Sequence, residues 1–166
     1  MEANEKYLYK VKSVTSMYDG DSIRVVLTAS RTTPDIEVDF GFNDVITITG
    51  QTIAKDTPVS VRMYGFDTPE LRDKRPEWKA AAYLAKDKAR EWIDQGIADG
   101  NLMMRSHQDE TGKFGRYLAN FMRGDATLKD YLISNHLAVD YFGASKDEIA
   151  AAHQANVDAL KAAGLI

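Results

Sequence analysis

Residues 61–70 have the sequence Val61-Arg-Met-Tyr-Gly-Phe-Asp-Thr-Pro-Glu70. The first half is half-apolar and β-prone, and a proline then stiffens a turn that carries Asp67 and Glu70. Because side chains alternate between the two faces of a strand, Arg62 is predicted to share a face with Phe66. The segment therefore predicts a strand that places a guanidinium on the approach to two carboxylates.

An acidic turn also occurs near the start of the chain. Asp19-Gly-Asp21 lies between the β-prone segments 7–18 and 22–27, and Asp-Gly is typical of a hairpin turn. Taken alone, this turn and the turn at Asp67 are both explained by ordinary turn chemistry with solvent-exposed acids. The presence of both in one chain favours a shared site.

The remaining β-prone segments complete a strand-rich framework. Residues 102–106 and 114–122 are predicted to form two strands, with a tight turn at 109–112. Residues 36–49 are predicted to form a β-hairpin with an acidic outer face. Charge on such a face usually protects a solvent-exposed strand edge. A weaker alternative makes residues 35–49 an oligomer or partner interface.

Helical periodicity predicts three helices in the second half of the chain. The first begins at Pro76 and ends at Gly96 or Gly100, and a short apolar stripe over residues 128–137 predicts the second. Ser145-Lys-Asp-Glu148 matches a capping box that opens an alanine-rich third helix. The three histidines have no metal-ligand spacing, so surface or structural roles are favoured for each.

Composition limits the classes of function. The chain has 166 residues, a formal net charge of −4 and no cysteine. A length in this range favours one domain, and the acidic balance means that any nucleic acid must be held by local positive charge. The lack of cysteine excludes disulfides, thiolate zinc sites and cysteine nucleophiles. Any metal must therefore be bound through oxygen or histidine.

The charged turns suggest one chemistry if they converge. Asp21, Asp67 and the carbonyl of Thr68 could hold one hard divalent cation, because calcium and magnesium prefer oxygen ligands. Arg62 and Arg116 would lie beside it, and a guanidinium can bond two phosphate oxygens at once. Together with a carboxylate that activates water, this set is what hydrolysis of a phosphodiester requires.

Three motifs make the sequence similar to the staphylococcal nuclease-like (thermonuclease) family. They are Asp19-Gly-Asp-Ser22, the segment 61–70, and Lys113-Phe-Gly-Arg-Tyr-Leu-Ala119, and the resemblance spans roughly residues 10–142. It implies an α+β fold: a five-stranded OB-type β-barrel with three helices and an inserted β-hairpin between the second and third barrel strands. Residues 1–166 would form a single staphylococcal nuclease-like domain, in which residues 29–57 look like an insertion relative to the family.

The resemblance also implies a metal site. The family's metal ligands fall on Asp21, Asp67 and the carbonyl of Thr68, with Asp19 behind them. The expected cofactor is Ca²⁺, with Mg²⁺ or Mn²⁺ as alternatives.

Catalytic roles follow from the same motifs. Glu70 takes the place of the residue that positions or deprotonates the attacking water, and Arg62 and Arg116 fall on the phosphate-binding arginines.

Substrate contacts are implied at three further positions. Lys113 matches a position near the terminal phosphate of the substrate, and Tyr141 lies near the aromatic residues that stack on a base. Phe114 replaces a tyrosine that bonds the nucleotide phosphate, so one hydroxyl contact is missing.

The resemblance implies a metal-dependent nuclease, a hydrolase that cleaves phosphodiester bonds in DNA, RNA or both. The alternative is a non-catalytic OB-type module that binds nucleic acid or protein. The polar N-terminus has no secretory signal and no apolar run is long enough to span a membrane. A cytoplasmic location with no membrane partner is therefore expected, and a mature secreted chain is the alternative.

Overall fold

The computed structural model describes residues 8–27, 36–39, 41, 45–48, 58–112 and 116–166. The strands in these ranges are β1 Leu8–Asp19, β2 Ser22–Leu27, β3 Ile36–Asp39, β4 Val45–Ile48, β5 Pro58–Met63, β6 Phe66–Asp67, β7 Leu102–Gly112, β8 Arg116–Arg123, β9 Ala126–Thr127 and β10 Val139–Asp140. The helices are α1 Pro76–Ala98, α2 Leu128–Ser134 and α3 Lys146–Ala162. Within the described ranges, no helix combines the length and apolar character that crossing a membrane requires.

Five strands close into a mixed barrel. Their order is β5-β2-β1-β7-β8, with antiparallel pairing along this row. Closure comes from a parallel pairing between β5 and β8, in which Arg62 lies opposite Leu118. The barrel and the three helices make an α+β fold that is consistent with an OB-type barrel.

The core lies inside the barrel and beneath the helices. Phe66 and Phe121 are both 1% exposed, and Leu132 of α2 is fully buried. Helix α1 packs against the barrel through a face that includes alanines such as Ala85 and Ala89, both fully buried. Small side chains on this face allow the helix to pack closely against the barrel.

The strand that begins at Pro58 does not run unbroken to Phe66. It stops at Met63, and Gly65 has a φ of 88°, a left-handed conformation that glycine adopts without the strain of a Cβ. The chain resumes as β6, which pairs with β10. The prediction that Phe66 shares a face with Arg62 is therefore wrong: Phe66 is buried in the core, whereas Arg62 is partly exposed.

The predicted tight turn at residues 109–112 is also wrong. These residues continue β7, and Gly112 lies opposite Arg116 across the β7–β8 pair. A register shift between Ser106 and Thr111 interrupts the ladder. An interruption of this kind is typical of a β-bulge. The Asp-Glu-Thr-Gly sequence predicted a turn because polar residues and glycine are common both in turns and in irregular strands.

Part of the predicted insertion lies in the described ranges. The backbone of β3 pairs antiparallel with that of β4, and Ile36 lies opposite Ile48. Gly41 lies between the two strands, and the other residues of 29–57 are outside the described ranges. The assignment of 29–57 as an insertion relative to the family, and of 35–49 as an interface, stays a prediction.

The third helix begins as its sequence predicts. Ser145 accepts a hydrogen bond from the backbone N–H of Glu148, whose side chain accepts one from the backbone N–H of Ser145. This capping box satisfies backbone donors that have no partner within the helix. Gly164 follows the helix with a φ of 71°. Both ends of α3 are thus specified locally, which fixes where along the chain its buried residues fall.

Candidate active site

A cavity of about 570 Å³ lies beside the β1–β2 turn and the end of β5. It brings together most of the residues that the sequence predicts for a site. Those that line it are Asp19, Asp21, Arg62, Asp67, Thr68, Glu70 and Tyr141. Polar groups that lie far apart in the sequence therefore share one concave surface, as expected of a binding or catalytic site.

The β1–β2 turn packs directly on the second acidic turn. Gly20 is buried, and a Cβ added there would lie 2.8 Å from Cγ2 of Thr68. The backbone N–H of Thr68 donates to Oδ2 of Asp21 at 3.0 Å. Because only glycine permits this approach, the Asp-Gly-Asp sequence sets the distance between the two acidic turns.

The short strand β6 carries Asp67 and is held from its other side by β10. Asp67 lies opposite Val139, and the N–H of Tyr141 donates to the carbonyl of Gly65 at 3.0 Å. These contacts place Tyr141 at the cavity wall, where the sequence predicts a substrate contact. Whether it stacks on a base stays a prediction.

Arg62 bridges two buried carboxylates. Its Nη1 contacts Oδ1 of Asp21, and its Nη2 donates to Oδ1 of Asp67 at 3.1 Å. Burial opposes the charge of the guanidinium, but the carboxylates of Asp21 and Asp67 outweigh it and raise the pKa of Arg62 above its ordinary value. The two carboxylates therefore face one guanidinium, which offsets part of the cost of burying them.

A third acid adds negative charge to this cluster. Burial, together with the neighbouring carboxylate of Asp21, raises the pKa of Asp19 from 3.8 to about 7. Asp19 also accepts the N–H of Asp21 at 3.3 Å. Three buried carboxylates thus lie close together, and Arg62 contacts two of them, Asp21 and Asp67. A bound cation would relieve the repulsion that raises the pKa of Asp19.

The predicted metal ligands have suitable chemistry for a hard cation but are already engaged. Asp21, Asp67 and Thr68 supply oxygen donors, and the buried Oγ1 of Thr68 has no hydrogen-bond partner among the described residues. No group of three or more histidine or acidic side chains in the described ranges is arranged to hold a metal. A cation at this site would have to displace or share the contacts that Arg62 now makes.

We expect the Asp19→Asn protein to be more stable than the parent at about pH 8 in chelator, by at least about 1 kcal/mol. The carboxyl has a pKa near 3.8 when unfolded and about 7 when folded, so the parent loses stability as the pH rises between these values. The asparagine does not titrate, and the two proteins should converge below about pH 4.

Urea unfolding at both pH values measures this difference. Asp125→Asn makes the same chemical change at an exposed turn residue and is the control. An Asp19→Asn protein that gained no stability at the higher pH would contradict the raised pKa.

Glu70 has a partner that the sequence reasoning missed. It is exposed at the rim of the cavity, where its Oε1 contacts Nζ of Lys146, the first residue of α3. The hydrogen bond that Lys146 donates to Glu70 is the main reason that the pKa of Lys146 is raised. An ion pair this exposed contributes at most about 1 kcal/mol, so Glu70 is free to exchange Lys146 for water or substrate.

His153 is a second residue whose contact with the site was not predicted from the sequence. It is 3% exposed, and its Nε2 lies 2.9 Å from Oδ2 of Asp67. Its spacing from Ile149 and Val157 puts it in the buried stripe of α3, a pattern that was visible in the sequence. A histidine within an apolar stripe indicates burial, but nothing in that pattern identifies Asp67 as its partner.

Three predicted residues lie wholly or partly outside the described structure. Lys113 and Phe114 belong to residues 113–115, so their predicted substrate contacts stay predictions. Arg116 begins β8 and lies opposite Gly112, and its side chain is outside the described part of the chain.

Comparison with known proteins does not identify the chain. No protein-family model matches it, and no curated protein matches it.

Proposed function

We propose that the protein is a metal-dependent nuclease that hydrolyses phosphodiester bonds in DNA or RNA, with Ca²⁺ as the cofactor and Mg²⁺ or Mn²⁺ as alternatives. One observation carries the proposal. The buried cluster of Asp19, Asp21, Asp67 and Arg62 opens onto the same cavity as the exposed carboxylate of Glu70. The residues proposed to hold a cation, to bind phosphate and to activate water thereby share one cleft.

Cationic side chains in the cavity wall support an anionic substrate. Four cationic side chains line it: Arg24, Arg62, Arg72 and Lys146. Four acidic side chains line the same wall, Asp19, Asp21, Asp67 and Glu70, so a bound cation would be needed to make the cavity positive. Positive charge is what binding of a phosphate backbone requires, and it makes the affinity fall with added salt.

The residues would divide the chemistry as follows. Asp21, Asp67 and the carbonyl of Thr68 would hold the cation, which supplies electrostatic stabilisation of the phosphate and its added charge. Arg62 would donate to phosphate oxygens from the same position. Glu70 would orient the attacking water and accept its proton, because an exposed carboxylate at the cavity rim can meet a water that enters from solvent. Arg116 is proposed as the second phosphate-binding arginine.

Cleavage assays test the proposal directly. Labelled single-stranded DNA, duplex DNA and RNA are incubated with calcium, magnesium, manganese or excess chelator. We expect degradation of single-stranded DNA in calcium, because the surplus of buried carboxylates requires a cation before phosphate can approach. Full activity in chelator would contradict the metal assignment.

A second candidate function is supported by the contacts of the acids. Both carboxylates proposed as metal ligands already bond protein groups, and Glu70 is paired with Lys146. This arrangement is also expected of a non-catalytic OB-type module that binds nucleic acid or protein. Binding of oligonucleotides without cleavage in any divalent cation would favour this alternative.

A further inference from the structure

His153 connects α3 to the acidic cluster through a buried contact. Its ring lies against Trp78, with ring centroids 5.6 Å apart, and its Nε2 lies 2.9 Å from Oδ2 of Asp67. The other oxygen of Asp67 accepts from the guanidinium of Arg62, and a carboxylate in such a charge-assisted bond is ionised. An ionised carboxylate only accepts hydrogen bonds, so Nε2 carries the hydrogen.

The contact fixes the orientation of the carboxylate. Oδ2 of Asp67 accepts from His153, and Oδ1 accepts from Arg62 at 3.1 Å. With one oxygen bonded on each side, the plane of the carboxylate is set, and Oδ1 faces Arg62. His153 therefore fixes the orientation in which Asp67 presents its other oxygen to Arg62.

The histidine is not explained by packing alone. A buried imidazole has two polar nitrogens, and Nδ1 of His153 has no hydrogen-bond partner among the described residues. An apolar side chain in the α3 stripe would avoid that cost, as Val157 and Leu160 do. The bond to Asp67 is the interaction that a leucine at this position could not make.

We propose that His153 is a positioning residue on α3 that orients Asp67 for cation binding. The inference rests on the proposed nuclease function, which it deepens by adding a residue that touches neither metal nor substrate. Partners that orient metal ligands typically change metal affinity about 10- to 100-fold when removed.

Calcium titration calorimetry on the full chain tests this role, with calcium alone as the probe. We expect His153→Leu to bind calcium about ten-fold or more weakly than the parent. His153→Gln should stay closer to the parent, because its amide can donate from near the position of Nε2. His153→Asn has a shorter side chain that cannot reach Asp67, and it repeats the loss with a polar replacement.

Asn156→Ala is the matched control. The Asn156 side chain also ties α3 to the body of the protein, by donating to the carbonyl of Ala138 at 3.0 Å, and it does not touch Asp67. We expect this variant to lose stability in urea unfolding while calcium affinity is unchanged. In cleavage assays, the calcium concentration for half-maximal rate should rise for His153→Leu and not for Asn156→Ala.

The outcomes separate the inference from the function. A parent that binds calcium and cleaves, with His153→Leu and His153→Asn binding calcium equally tightly, would overturn the positioning role alone. Equal weakening by Asn156→Ala would also overturn it, because the effect would then come from helix docking. A parent that neither binds calcium nor cleaves would overturn both proposals.

Discussion

Replacement of Arg62 by methionine is expected to lower the free energy of unfolding by about 3 kcal/mol in chelator. The guanidinium contacts Asp21 and Asp67, whose side chains are only 3% and 11% exposed. Methionine removes the guanidinium that both buried carboxylates contact and leaves only the neighbouring bonds from His153 to Asp67 and from Thr68 to Asp21. This loss is costlier than that of an exposed ion pair. Urea unfolding with excess chelator measures the loss.

Calcium makes this experiment informative about the site. If a cation binds between the same carboxylates, it replaces the missing positive charge, and calcium should stabilise Arg62→Met more than it stabilises the parent. Arg24→Met removes an exposed arginine that lines the same cavity, and it should change stability by less than about 0.5 kcal/mol.

Two results would contradict the expectation. An Arg62→Met protein as stable as the parent in chelator would mean that the carboxylates do not depend on the guanidinium. Equal stabilisation of both proteins by calcium would mean that the cation binds elsewhere.

Replacement of Glu70 by alanine is expected to lower kcat for phosphodiester cleavage by about 10²- to 10⁴-fold. The physical reason is that the variant loses the carboxylate proposed to orient and deprotonate water, while Asp21, Asp67 and Arg62 keep their contacts. Since Glu70 is proposed to act on water rather than on the substrate, KM should change little. Steady-state kinetics with single-stranded DNA in calcium measure both constants.

Glu77→Ala is a close control for this variant. Glu77, like Glu70, is an exposed glutamate that contacts a lysine of α3, in this case Lys161. It does not line the cavity that contains Glu70. The Glu77→Ala protein should therefore cleave at the parental rate. A Glu70→Ala protein that also cleaved at the parental rate would contradict the proposed water activation.

The sequence correctly predicted elements that depend only on residues a few positions apart. The capping box at Ser145 and the hairpin turn at Asp19–Asp21 depend on residues a few positions apart, and both occur where expected. The strand break at Gly65 was missed, because a glycine within a β-prone run does not reveal which φ it adopts. The turn predicted at 109–112 failed because its composition is shared by an irregular strand.

Most of the predicted site residues line one cavity, whereas their contacts and the presence of Lys146 and His153 were not predicted. Turn and strand propensities act over a few residues, so the local sequence indicates which turns carry acids and which strand carries Arg62. Folding of the whole chain is what brings Thr68 to Asp21 across 47 residues and His153 to Asp67 across 86. Such pairs form when barrel closure and helix docking bring distant segments together, and no local pattern specifies which buried polar groups will then meet.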